Sequence, residues 1–217
     1  MRMRVVMICV ILLFISVISK GQDTRVFLLE QSMKPKLGLR TGASLSKLDN
    51  GYEETGYQFG FSFGGALKIP VNRIISLQNE MVFSKKGGSI TYLKNAFYTG
   101  DVRYRLYYLD FPLLLRIKLG RAISLVGGYQ GSLLIDANVE YVDPYVYGFV
   151  ELDEREMNSW DNALVAGLAI GGRNRAFDIR VNYGLTDVAK SDYANTFLGD
   201  ARNVSVMFCF TRYFGRR

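Results

Sequence analysis

The sequence predicts an all-β protein whose strands are antiparallel and follow one another up and down, and three observations support this. First, apolar residues recur at every second position over most of the chain, which is the period of a strand with one buried face. Second, the chain has 14 Tyr, 14 Phe and 22 Gly but only 4 Pro, a composition that suits strands and tight turns. Third, the connections between the alternating segments are short and long in turn, as in a meander whose two ends differ.

The clearest strand is Tyr107–Gly120, with the sequence YYLDFPLLLRIKLG. Its odd-numbered positions from 109 onward are all apolar, and its even-numbered positions hold every charge of the segment. A helix would scatter these charges around its surface, and Pro112 would interrupt it. Immediately upstream, in Val102–Tyr108, the apolar residues are even-numbered instead. This change of phase predicts either a β-bulge around Tyr108–Pro112 or a strand that leaves a membrane and continues as an exposed hairpin.

Seven further segments show the same alternation and bring the predicted total to eight strands. Three of the connections are short turns, and the others are longer loops that all fall at the opposite end of the sheet. This asymmetry is typical of outer-membrane barrels, which have short periplasmic turns and long extracellular loops. In chain order the strands are predicted at Leu37–Leu48, Gly56–Ile69, Ile74–Ser84, Tyr107–Gly120, Ile123–Ile135, Leu164–Ile170, Phe177–Leu185 and Val204–Phe214.

The N-terminus has the pattern of a secretory signal peptide. Met1–Arg4 is basic, and Val5–Ile18 is an apolar run of 14 residues. A helix that spans a bilayer needs about 20 residues, so an anchor helix is the less favoured alternative. We expect cleavage just before Gln22. The predicted organisation is a signal peptide at 1–21, an N-terminal periplasmic tail at 22–36 and an outer-membrane β-barrel at 37–217.

Charge, cysteine and histidine content limit the function classes. Loss of the three basic residues in the leader lowers the net charge from +7 by three, to +4, which is too mild to indicate a nucleic-acid partner. The mature chain would keep one cysteine, Cys209, so we expect no internal disulfide. The chain has no histidine, which excludes a Ser-His-Asp triad and His-based metal sites. We therefore expect no enzyme activity, no metal and no cofactor.

The polar and apolar faces of the predicted strands favour a membrane barrel over a soluble, lipocalin-like one. Both give a period of two, but the polar phase here is dominated by Gly, Ser, Ala and Gln, which fit a narrow interior. The apolar phase carries aromatic residues at strand ends, where membrane barrels place their interfacial girdles. We therefore expect the protein in the bacterial outer membrane, in contact with lipid. The girdle candidates are Tyr57, Tyr107, Tyr129, Tyr183 and Phe214.

Charged residues on the polar phase predict a charge network inside the lumen. Charges in a confined interior must pair, so the favoured interpretation is a set of structural salt bridges, and the alternative is an ion path. Glu80 and Asp110 could also form a carboxylate pair, for which a structural role is favoured over acid–base chemistry. The predicted lumen residues are Arg40, Lys68, Glu80, Asp110, Arg116, Lys118, Asp178 and Arg180.

The long loops provide the second candidate site. The second loop is basic, with Lys85 and Lys86 at its start, whereas the connection 136–161 is acidic and rich in aromatic residues. Opposite charges on neighbouring loops predict either a solvated rim with mutual salt bridges or a docking surface, because exposed aromatic residues are common anchors. The docking candidates are Tyr141, Tyr145, Tyr147, Phe149 and Trp160.

Four segments resemble the PorT-like outer-membrane β-barrel family of Bacteroidota. They are ISLQNEMVFSKKG, YYLDFPLLLRIKLG, GGYQGSLL and VNYGLTDV, and the aromatic terminal strand NVSVMFCFTRYF fits as well. The chain departs from the family in having Asn79 where proline is usual, and in continuing past Phe214, the last aromatic residue. The resemblance implies an eight-stranded barrel similar to OmpA- and OmpX-type proteins, inserted by the barrel-assembly machinery.

The resemblance does not imply one activity. We expect a structural or interaction role, performed by the extracellular loops or as a subunit of a larger outer-membrane complex. The alternative is a narrow channel or transporter for ions or a small ligand.

Overall fold

We describe the protein from a computed structural model. The described residues are 34–49, 55–95, 98–120, 122–141, 156–172, 174–191, 194–195 and 198–214, and within the strands the side chains of 91–95, 98–101 and 141 are not described. Among these residues, no helix is long and apolar enough to cross a membrane.

The described residues form eight antiparallel strands in one closed barrel. Each strand pairs with the next along the chain, and β1 closes the ring by pairing with β8 from Leu37↔Phe214 to Asp49↔Arg202. The predicted fold class, an up-and-down barrel, is therefore confirmed. The strands are β1 (Lys36–Asp49), β2 (Thr55–Pro70), β3 (Ile75–Asn95), β4 (Tyr98–Lys118), β5 (Ile123–Tyr141), β6 (Trp160–Gly171), β7 (Arg175–Asp187) and β8 (Arg202–Phe214).

The outward face of the barrel is apolar and the inward face is polar over most of the strand length. Leu39 is 64% exposed and Phe59 is 65% exposed, whereas residues on the inward phase, such as Arg40 and Gln78, are buried. A soluble barrel would have the opposite arrangement, because its apolar side chains would fill the interior. The predicted assignment of the two faces is therefore confirmed.

Strand β4 keeps one orientation along its whole described length. Its even-numbered residues from Val102 to Arg116 are all buried, so the strand does not turn over where its polarity changes. A register shift does occur beside Tyr107 and Tyr108, but the extra residue is Ile135 on β5, because Tyr107 pairs with Asp136 and Tyr108 with Leu134. The bulge expected around Tyr108–Pro112 thus lies on the partner strand.

Pro112 is accommodated without a bulge. The β3–β4 register is the same on both sides of it, from Asn79↔Leu113 to Val82↔Asp110. Proline lacks an N–H group, so it cannot donate to the ladder, and here it interrupts the pairing with β3 locally. Its pairing with Gln130 on β5 continues.

At one end of the barrel, short turns follow β2, β4 and β6. In the first, the Asn72 side-chain oxygen accepts hydrogen bonds from the backbone N–H groups of Ile74 and Ile75 at 2.8 and 2.7 Å, which is an Asx turn. In the third, the Gly172 N–H donates to the Arg175 carbonyl at 2.9 Å. Short turns mark the periplasmic end of such barrels, so the tip of the β3–β4 hairpin and the long β5–β6 connection lie at the extracellular end. The long loop predicted between the third and fourth strands is wrong, because β3 continues to Asn95 and β4 begins at Tyr98.

Candidate functional site: the barrel lumen

Glu80 on β3 is the centre of the lumen charge network. Its side chain is fully buried. Arg180 of β7 donates to both of its oxygens, at 2.9 and 3.1 Å. Arg40 of β1 and the Gln78 amide donate to it as well. A carboxylate with this many donors is held ionised in one position, because each donor offsets part of the cost of removing the charge from water.

Asp178 extends the network toward the periplasmic end. It accepts from Arg180 at 2.5 Å and from Arg116 of β4, whose Nη2 lies 2.6 Å from both carboxylate oxygens. The result is a chain of alternating charges, Arg40–Glu80–Arg180–Asp178–Arg116, that crosses the lumen between strands on opposite walls. Its three cations and two anions are all buried.

A second ion pair lies one layer closer to the extracellular end. Lys86 Nζ donates to Asp110 at 2.8 Å and to Ser132 at 3.2 Å, and Ser84 donates to the other Asp110 oxygen at 2.7 Å. Between the two ionic layers, Asn182 donates to Gln130 Oε1 at 3.1 Å. The cavity at this level holds only about 10 Å³, which is about the space of one water molecule.

Above these layers the interior becomes apolar. Tyr104, Leu106 and Tyr108 on β4 pack against side chains from β1, β3 and β5 and from the segments between β5 and β8. Tyr108 marks the boundary, because its hydroxyl accepts a hydrogen bond from Asn203 at 3.3 Å. The other buried members of this apolar plug are Leu48, Ile90, Val102, Leu134, Met157, Val188, Ala194, Leu198 and Ala201.

The apolar plug explains the change of phase along β4. Within the membrane the outer wall meets lipid and the lumen is polar, whereas beyond the membrane the outer wall meets water and the interior can be apolar. The even-numbered residues of β4 therefore face inward along the whole strand, but they are polar within the membrane and apolar beyond it. This corresponds to the second of the two predicted alternatives, a strand that continues beyond the membrane.

The structure brings most of the predicted lumen residues together. Arg40, Glu80, Arg180, Asp178 and Arg116 form one network. Asp110 belongs to the separate Lys86 layer, so Glu80 and Asp110 do not form a carboxylate pair. Lys68 and Lys118 lie at the periplasmic mouth, outside both ion layers.

Two charged lumen residues, Lys86 and Asp161, are absent from the predicted set. Lys86 was assigned to the basic loop, but it is buried inside the barrel and is paired with Asp110. Lys86 has the same even-numbered phase as Gln78, Glu80 and Ser84, which face the lumen. That shared phase is the sequence signal that could have placed Lys86 inside the barrel. Asp161 was assigned to the end of the acidic connection, but it is buried and accepts a hydrogen bond from Asn203 at 3.0 Å.

Of the predicted docking residues, the structure describes only the Trp160 side chain. Tyr145, Tyr147 and Phe149 and the side chain of Tyr141 lie outside the described residues. Trp160 is on the outer wall at the start of β6, and its indole N–H donates to Asn162 at 2.7 Å. The Tyr129 hydroxyl, from the neighbouring strand, donates to the same Asn162 oxygen. Trp160 thus lies beside Tyr129 on the apolar outer wall, and its place on a docking surface stays a prediction.

The lumen provides structural ion pairs and no described group of metal ligands. In the part of the chain that the structure describes, no three Cys, Asp or Glu side chains cluster so as to hold a metal ion. Cys209 is buried, and Arg40 donates to its sulfur at 2.7 Å.

Several solved outer-membrane proteins are similar to this chain over most of its length, at low identity. Ail, the attachment invasion locus protein of Yersinia pestis, is 12% identical with a TM-score of 0.45, over 84% of this chain and 100% of Ail. The Neisserial surface protein NspA is 12% identical with a TM-score of 0.48, over 82% and 97% of the two chains. OprG from Pseudomonas aeruginosa is 14% identical with a TM-score of 0.39, over 84% and 95%. No curated protein matches the chain significantly.

The family assignment comes from the sequence of the barrel itself. A family model described as "Outer membrane protein beta-barrel domain" matches residues 30–190, which is most of the chain. The closed eight-stranded barrel and its apolar outer wall agree with that match, and they place the protein in the bacterial outer membrane. The chain belongs to the outer membrane protein β-barrel domain family.

Proposed function

We propose that this protein is a closed outer-membrane barrel with a structural or interaction role, performed by its extracellular part or as a subunit of a larger complex. The observation that supports this most is the filled lumen. Two layers of buried ion pairs and an apolar plug follow one another along the axis. A solute that crossed the lumen would have to break charge-assisted hydrogen bonds in the two ionic layers. It would also have to separate the packed side chains of the apolar plug.

The length of the β3–β4 hairpin also favours work done outside the membrane. Each of these strands has 21 residues. At about 3.3 Å per residue and a tilt of about 40°, a strand of this length rises about 50 Å, whereas the apolar band of such barrels is about 25 Å tall. The hairpin thus extends well beyond the bilayer and carries its tip to a height where a partner protein or glycan could reach it.

Planar-bilayer conductance tests the closed barrel against the channel alternative. We expect the purified full-length protein to give no stepwise current above the lipid baseline, with a general porin as the positive control. Steady, reproducible openings that scale with protein concentration would favour the alternative, a narrow channel or transporter for ions or a small ligand.

The partner is best sought by co-purification from native membranes. We expect a stable outer-membrane partner that is retained with the intact protein and lost when the β3–β4 hairpin is shortened by equal lengths from both strands. A barrel that purifies alone under mild crosslinking would contradict a role as a subunit and leave a structural role in the envelope.

We further propose the processing and placement that the sequence predicts. Residues 1–21 are a signal peptide, 22–36 a periplasmic tail and 37–217 the barrel, which the barrel-assembly machinery inserts among outer-membrane lipids. N-terminal sequencing of the protein from membranes is expected to begin at Gln22. The four resembling segments support a place in the PorT-like branch found in Bacteroidota. We propose no enzymatic activity, no cofactor and no nucleic-acid partner.

A further inference from the structure

The periplasmic mouth of the barrel is a basic pocket. It encloses about 260 Å³ below the Asp178 layer and is lined by residues from the short turns and from the periplasmic ends of the strands. None of the described residues that line it is acidic. Five of its side chains are cationic: Lys36, Lys68, Arg73, Arg116 and Lys118.

The backbone register places two of these cations side by side. Lys36 and Lys68 are direct cross-strand partners on β1 and β2, an arrangement in which like charges repel. Lys68 also interacts electrostatically with Arg116 and Lys118. The acid within range, Asp178, is already bound by two arginines, Arg116 and Arg180. Among the described residues, Lys68, Arg73 and Lys118 form no salt bridge, so the positive charge that they bring to the mouth is not neutralised by an ion pair.

Lys68, one of the cations that line the pocket, packs on a ring that is itself held by contacts and a hydrogen bond. Lys68 Nζ lies 5.5 Å above the centre of the Tyr213 ring, and the Tyr213 hydroxyl donates to Gln78 at 2.8 Å. Ala66 and Ala176 pack against the same ring. Ser76 and Ser124 add hydroxyl groups to the wall. A lysine held by packing, small wall residues and several cationic donors around one pocket are the features of a preformed anion site.

We propose that the periplasmic mouth binds a phosphate group, an activity separate from any role of the extracellular part. A phosphate offers two negative charges and several acceptor oxygens, so it can satisfy converging lysines and an arginine better than a chloride ion can. The pocket is smaller than the roughly 300–1,000 Å³ of sites for drug-sized ligands, which favours a small anion. The phosphate can belong to a free anion of the periplasm or to the headgroup of a phospholipid in the inner leaflet.

Calorimetric titration with pyrophosphate tests the site, using the full-length protein in maltoside micelles without phosphate at low ionic strength. We expect saturable binding by the wild type. The Lys68→Gln/Lys118→Gln variant is expected to bind about tenfold more weakly or worse, the equivalent of one lost charge-assisted hydrogen bond. Arg103→Gln is the matched control, because it removes an exposed cation from the opposite end of β4. Its affinity should equal that of the wild type.

Folding of each variant is checked by the heat-modifiable shift in gel mobility. If the double variant fails that check, the single variant Lys118→Gln serves instead, because its side chain is exposed and its loss leaves the buried layers intact. Its affinity is expected to fall by about threefold, which is part of one such hydrogen bond.

A competition experiment identifies the source of the phosphate. If phosphatidylglycerol added to the micelles displaces pyrophosphate from the wild type, the ligand is a lipid headgroup, and if it does not, the ligand is a soluble phosphate. The proposal is overturned if pyrophosphate binding does not saturate or if the folded lysine variant binds as tightly as the wild type. It is equally overturned if sodium chloride at matched ionic strength displaces pyrophosphate completely.

Discussion

Glu80 ties together two arginines that approach it from different walls of the barrel. Arg40 and Arg180 come from β1 and β7, and neither has a described carboxylate other than Glu80 and Asp178 within reach. A buried pair of this kind adds little net stability compared with an apolar core of equal volume. Removing one member of the pair is strongly destabilising, because the remaining charges stay buried without a partner.

Replacing Glu80 with Gln is expected to lower the free energy of unfolding by about 3–5 kcal/mol, because two guanidinium groups lose their shared anion. The midpoint of urea unfolding in detergent, followed by the heat-modifiable gel shift, measures the change. Glu140→Gln is the control: Glu140 pairs with Arg105, and both side chains are more than one-third exposed. Its loss should cost less than about 1 kcal/mol. Equal effects of the two substitutions would refute a specific role for the Glu80 layer.

Leu113 tests the depth of β4 in the bilayer. Its side chain is 47% exposed on the outward face, and Leu119, at the periplasmic end, is 60% exposed. An arginine at 113 is expected to cost about 2–4 kcal/mol, the value for mid-bilayer, and an arginine at 119 only about 0–1 kcal/mol. Reversible folding into lipid vesicles measures both. A larger cost at 119 would mean that β4 crosses the membrane at a different height.

At the scale of the strand, β4 shows which structural features the sequence pattern predicts and which it does not. The alternation from Leu109 to Leu119 predicts a strand and its apolar face correctly, because lipid selects apolar residues at every outward position. The lumen partners of Asp110 could not be predicted from the same pattern. Lys86 belongs to the lumen by parity, yet it stands in a Lys-Lys-Gly-Gly run that also suits a loop.

Pairings across the lumen were the least predictable part of the site. Arg40, Glu80 and Arg180 are placed on the inner wall by alternation alone. Which of them meet depends on the shear and curvature of the closed barrel, which bring β1, β3 and β7 to one level. These are properties of the whole ring, and no local segment encodes them. The apolar interior near Tyr104 could likewise be detected in the sequence only as a change in the phase of the apolar alternation. The sequence pattern does not show where the bilayer ends.

Trp160, the single tryptophan of the chain, reports whether the start of β6 faces lipid or the aqueous rim. Its position beside Tyr129 on the apolar outer wall predicts blue-shifted emission that is quenched by brominated lipids and little affected by iodide. A Tyr129→Phe variant should keep this emission, because the Trp160–Asn162 hydrogen bond remains. Red-shifted emission with strong iodide quenching would instead assign Trp160 to the predicted docking surface.

For the whole molecule, the accessibility of Cys209 measures whether the barrel is closed. Its side chain is fully buried on the inner wall, beside Arg40. In a Cys9→Ser background, a hydrophilic maleimide is expected to leave the folded barrel unlabelled from either side of the membrane. The same reagent should label Cys209 completely after heat unfolding. Rapid labelling of the folded form would show that water and solutes pass through the lumen.

The ion layer also constrains the order in which the molecule can be assembled. Its members come from the first, third, fourth and seventh strands, so no hairpin contains a complete set of partners. An isolated Glu80 or Arg180 that met hydrocarbon during insertion would carry a desolvation cost of several kcal/mol. The inner wall must therefore stay hydrated while the strands are added, and the water must leave only when β1 and β8 join. Pairing of β1 with β8 is thus the step at which a hydrated, open sheet becomes a closed barrel with a packed, dry lumen.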